Sequence, residues 1–133
     1  MSHRSLFLVT LMVDDYDRAK DFYCGVLGFE CVFDQPLPEE GKRWVVVRPK
    51  GGEGASLLLA RADGAVEQAA IGNQTAGRVS FFLSTDDFAR DHAAFISGGL
   101  RFIEEPRVEA YGTVAVFADL YGNLWDLIQH AAS

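Results

Sequence analysis

"LVTLMVDDYDRAKDFYCGVLGF", Leu8 to Phe29, decides how the rest of the chain is read. Its first six residues form an extended apolar run, Asp15 stands where a helix would be capped, and Ala19, Phe22, Tyr23, Val26 and Leu27 then recur at i, i+3, i+4, i+7 and i+8. That spacing lays one apolar stripe along a helix. Gly28 stops it, because glycine enters the left-handed conformation with which helices commonly end.

The same plan returns seventy residues later. "RVSFFLSTDDFARDHAAFISGGLRF", Arg78 to Phe102, has an apolar strand, a polar helix start and a stripe of Phe88, His92, Phe95 and Ile96 closed by Gly98-Gly99. Short extended runs follow each helix, "FECVF" in the first half and "RFIEE" in the second. Two longer strands complete each half: "RWVVVR" with "ASLLLA", and "GTVAVFA" with "LWDLIQ", the last pair joined by a turn at Gly122-Asn123. The chain therefore divides into a β-α-β-β-β module over 1–62, a linker over 63–77 with room for one helical turn, and a second such module over 78–133.

A chain of 133 residues, 49% hydrophobic and 23% charged, suits ordinary globular folding. Its formal net charge of -7 repels nucleic acid and anionic membrane surfaces. The opening "MSHRSLFLVTLMV" is too short in apolar residues for a signal peptide or a membrane span, so a cytoplasmic protein is expected. Cys24 and Cys31 lack the spacing of a metal-ligand pair and are expected as reduced thiols. "PKGGEGAS" lacks the lysine and the strand-to-helix setting of a phosphate loop.

Paired β-α-β-β-β modules with "VDD" and "FYCGVLGF" after the first strand and "DLYGNLWDL" at the last turn resemble the vicinal oxygen chelate superfamily. That group includes glyoxalase I, extradiol dioxygenases, fosfomycin-resistance enzymes and bleomycin-resistance proteins. The resemblance runs from Ser5 to Gln129 and implies an α+β fold, two repeated βαβββ modules whose curled mixed sheets form a cup. In metal-using members it implies a divalent ion held by four residues, typically His, Glu, His and Glu, from the first and last strands of each module. The matching positions here are Leu8, Leu58, Arg78 and Asp126. Leucine offers no lone pair and arginine keeps its proton, so only Asp126 is a possible ligand, and no metal is expected at this position.

Residues two apart share a face of a strand. Leu8, Thr10, Met12, Ser56, Leu58, Ala60, Arg78, Ser80, Phe82, Leu124, Asp126 and Ile128 are accordingly expected toward the cup. The opposite set, including Leu11, Val13, Leu59, Phe81, Trp125 and Leu127, is uniformly large and apolar, as a helix-packed face should be. The strand order implied by the resemblance makes the strands of Arg78 and Asp126 neighbours, and an Arg78–Asp126 ion pair is expected in the former metal position. Trp44 and Tyr111 are candidate stacking residues near the mouth, and the loop Asp34 to Arg43 is expected to edge the cup. Structural roles suffice for His3, His92 and His130; Asp126 is the one candidate base.

The function expected is binding of a small amphipathic molecule without cofactor, by a homodimer, on the pattern of the bleomycin-resistance branch. The alternative is a glyoxalase-type lyase or an extradiol-type dioxygenase using a divalent metal.

Overall fold

Burial alternates along β1 (Leu8–Val13): Leu11 and Val13 are fully buried while Thr10 is exposed, so the strand has two unlike faces. In the computed structural model, which describes residues 2–132, β1 belongs to a first unit that extends to Ile71. Its other elements are α1 (Tyr16–Gly25), β2 (Phe29–Pro36), β3 (Arg43–Pro49), β4 (Ser56–Arg61) and the short α2 (Gly64–Ala70). The sheet runs β1-β4-β3-β2, with β1 parallel to β4 and the other pairs antiparallel.

Helix α1 forms as its pattern predicts. Asp15 Oδ1 accepts a hydrogen bond from Arg18 N at 2.9 Å, satisfying one of the free amides of the first turn. Tyr16, Ala19 and Tyr23 are buried, and the helix packs on β2, β3 and β4. The row Leu11–Leu59–Val45 across β1, β4 and β3 lies on the buried face, and all three side chains are fully buried. The helix ends at Gly25, and Gly28, at φ 69°, turns the chain into β2.

The second unit begins at Gly72 and contains β5 (Val79–Ser84), α3 (Phe88–Ser97), β6 (Arg101–Phe102), β7 (Arg107–Glu109), β8 (Gly112–Ala118) and β9 (Leu124–His130). Asp87 caps α3 as Asp15 caps α1, accepting from Arg90 N at 3.1 Å. The sheet runs β5-β9-β8-β6, with β7 also on β8. Trp125 stacks on Phe117 at 5.8 Å and meets Phe81 at 4.6 Å, while Phe95 of α3 meets Phe117 edge-on. These aromatic contacts make the core of the unit.

Three local expectations change. The run "RFIEE" is not one strand: β6 stops at Phe102 and β7 starts at Arg107. In the gap Val116 N donates to Glu104 Oε1 at 3.1 Å, so a side chain replaces the missing ladder partner. The linker region holds the seven-residue helix α2, longer than one turn. The ends of the expected loop Asp34 to Arg43 are strand residues of β2 and β3, and they are joined by an ion pair.

Candidate functional site

The helix-free face of the first sheet is built by register. Thr10, Leu58, Val46 and Phe33 line up across β1, β4, β3 and β2. A β-bulge between Cys31 and Phe33 sets Val32 out of the ladder and brings Phe33 opposite Val46. Trp44, two residues before Val46, shares its face. Leu8 pairs with Ser56 at one end of the sheet and Met12 with Ala60 near the other. Phe7, Leu8, Val32, Phe33, Trp44, Val46 and Ser56 together line a depression of about 310 Å³. Three of its aromatic rings are open to solvent, with Phe7 74%, Phe33 48% and Trp44 39% exposed. Ser56 supplies its one polar side chain.

An ion network borders this face without entering it. Arg43 bonds Asp34 at 2.7 Å and Asp17 at 2.9 Å, and Lys20 bonds Asp34 at 2.8 Å. Bonding to Arg43, then to Lys20, holds the Asp34 carboxyl well below its ordinary value, at about 2. The Arg43 guanidinium also lies 5.1 Å from the Tyr16 ring centroid.

The helix-free face of the second sheet is different in kind. Phe82, Asp126 and Val116 form a row across β5, β9 and β8. The expected ion pair is absent: among the described residues no salt bridge or hydrogen bond joins Arg78 to Asp126. A bulge between Val79 and Phe81 explains this. It places Val79 opposite Leu124 and leaves Ser80 as the additional residue, and β5 begins only at Val79, after Arg78. A one-residue slip carries every side chain beyond it to another position, so the alternation that grouped Arg78 and Ser80 with Phe82 fails there. Arg78 is exposed in the turn before β5, and Ser80 Oγ is 2.6 Å from Thr75 Oγ1.

The charges that act on Asp126 are instead Arg107 and Glu104. Burial raises its carboxyl above the ordinary range; Arg107 opposes that rise and Glu104 adds to it. Tyr111 is exposed in the turn between β7 and β8. Tyr111 belongs to the second unit, whereas the lining of the depression that holds Trp44 comes wholly from the first.

The carboxylate that organises the final turn is Asp119, which the sequence reading passed over. It is buried and accepts from Tyr121 N (3.0 Å), Asn123 N (2.9 Å), Asn123 Nδ2 (3.0 Å) and Trp125 Nε1 (3.0 Å). The signal was present: an aspartate before "YGN" with a tryptophan six residues on is a side chain able to satisfy a turn's amides.

The donor set does not fit the divalent metal implied by the resemblance. Leu8, Leu58 and Arg78 offer no metal ligand. Among the described residues no three His, Cys, Asp or Glu side chains converge where an ion could be held.

Two units, each a mixed sheet with one helix-covered face and one helix-free face, define a vicinal oxygen chelate protein. The chain belongs to the Glyoxalase/Bleomycin resistance protein/Dioxygenase superfamily, whose model matches residues 5–127. It is 52% identical over 126 residues to an uncharacterized protein of Shewanella frigidimarina (strain NCIMB 400), covering 95% of this chain and 93% of that one. Among solved structures it resembles UcmS2, with TM-score 0.79 and 29% identity over 96% of this chain and 98% of the other. It also resembles TnmS3, an antibiotic binding protein from Streptomyces sp. CB03234, with TM-score 0.75 and 30% identity over 98% and 99% of the two chains. No helix among the described residues is long and apolar enough to cross a membrane.

Proposed function

We propose that this protein binds a small, largely aromatic molecule on the helix-free face of its first unit, without the metal used elsewhere in the superfamily. The observation that carries this reading is the depression around Trp44. Its volume of about 310 Å³ and its lining of Phe7, Leu8, Val32, Phe33 and Val46 suit a molecule of two or three rings. The exposed aromatic edges offer stacking surface. The likeness to TnmS3, described as an antibiotic binding protein, supports the same class of ligand. The reading includes a homodimer, as sheets with this much exposed apolar surface favour association, and a cytoplasmic location.

Titration with 2-methoxynaphthalene, followed by NMR, tests the site. Saturable movement of the Trp44 indole signal and of the Phe33 and Val46 amides is expected, with little at buried Trp125, and the amide shifts should be lost in Trp44→Ala. Failure of any such aromatic to move Trp44 would refute the assignment. Elemental analysis of protein purified without a metal-affinity tag tests the other half. A metal near one per chain would shift the reading to a lyase or dioxygenase. Sedimentation at micromolar concentration should show two chains per particle.

A further inference from the structure

In the second unit the helix-free face carries one polar group in an apolar row. Asp126 lies between Phe82 and Val116 across the sheet, with Leu124 and Ile128 two residues to either side along β9. Its Oδ1 is buried and has no hydrogen-bond partner among the described residues. A carboxylate accepts only, and a buried acceptor left unpaired weakens the fold that holds it. The nearby cation gives it no hydrogen bond. Arg107 spends its Nε on Glu104 at 3.3 Å and a terminal nitrogen on Glu109 at 2.8 Å. Asp119, by contrast, shows what a structural carboxylate in this unit looks like, with donors converging on both oxygens. Beside half-buried Asp126 the ring of Phe82 is 68% exposed, a flat apolar surface next to the unpaired acceptor.

We propose that Asp126 is a recognition residue, its carboxylate accepting a hydrogen bond from an N–H or O–H group of an aromatic ligand that lies against Phe82. The proposal rests on the reading that the protein takes aromatic molecules, and assigns the second unit a place of its own for those that carry an N–H or O–H group. Asp126, when ionised, disfavours a second anion beside it, so carboxylated ligands are selected against. A protonated amine and a neutral hydroxyl share the donor chemistry, and the experiment separates them.

The test is NMR titration with four matched probes: 2-naphthol, 2-naphthylmethylamine, 2-methoxynaphthalene and 2-naphthoate. The two donors are expected to bind roughly tenfold tighter than the methyl ether, the size of one hydrogen bond to a charged acceptor, with naphthoate weakest. They should move the amides of Phe82, Val116 and Asp126. Asp126→Leu should abolish the preference while leaving Tm unchanged or higher, since it removes an unpaired acceptor rather than a bond. Asp126→Ala provides the same comparison should the leucine variant not fold. A tighter amine identifies a charged donor, and parity with naphthol a neutral one; both support the proposal. Equal binding of donors and ether, a preference retained in a folded variant, or a Tm of folded Asp126→Leu below that of the wild type would overturn it. If probes move Trp44 but none moves Phe82, Val116 or Asp126, this inference alone fails. If no probe binds, the aromatic-ligand reading fails with it.

Discussion

The two units share a strand order and an aspartate-capped helix, yet they place their carboxylates in opposite ways. In the first, Asp34 is fully engaged by Arg43 and Lys20 at the border of the sheet, and the helix-free face beside it is apolar. In the second, Asp119 is buried in the last turn and Asp126 stands alone on the helix-free face. The difference separates two uses of buried charge. Asp34 and Asp119 hold the chain to itself, whereas the unpaired Oδ1 of Asp126 contributes no bond that holds the chain.

The sharpest way to break this contrast is to remove Asp119. Asp119→Ala leaves the Trp125 indole N–H and the Asn123 donors without partners, and we expect a loss of about 3–4 kcal/mol in denaturant unfolding. Next comes Gly72, at φ 74°, where an added Cβ would meet the backbone carbonyl of Tyr121. Gly72→Ala should lower stability by about 2 kcal/mol, read in the same assay. Smaller again is Asp34→Asn, which gives up partly exposed ion pairs worth about 1–2 kcal/mol at neutral pH.

The pH dependence of Asp34 has a definite sign. Its folded carboxyl titrates at about 2, below its ordinary value, so the native state holds fewer protons than the unfolded one between the two. Its stabilisation is therefore complete above pH ~4 and is lost as pH falls toward 2. The wild-type and Asp34→Asn curves should converge in that window. The smallest effect on stability is expected at Trp44. Trp44→Leu keeps an apolar side chain at a half-open position and should change unfolding by less than about 0.5 kcal/mol. It should nonetheless weaken aromatic probes several-fold, which would separate the binding face from the fold.

Much of this architecture was legible along the chain. The i, i+3, i+4 stripe of α1, Asp15 before it and Gly28 after it are local features, and each did what its chemistry requires. The alternation in β1 and β4 sorted Leu11, Val13, Leu57 and Leu59 to the buried face correctly, because side-chain direction in a regular strand follows from period two alone. The same logic failed at Arg78 and Ser80. A bulge adds a residue to one strand at a place set by its neighbour's register, and no pattern within "GRVSFF" marks it.

The sequence by itself determined the repeat, the two capped helices and the absence of metal-ligating side chains at three of the four positions, since these depend on residue type and short-range spacing. Only the tertiary structure decided the rest. Pairing of β5 with β9 set Phe82, not Arg78, beside Asp126, and the bulge in β2 brought Phe33 to the depression around Trp44. Folding of the last turn gave the buried donors to Asp119 and left Asp126 without one. Which of two carboxylates seven residues apart becomes structural depends on which amides and rings arrive beside it, and that is a property of the packed sheet.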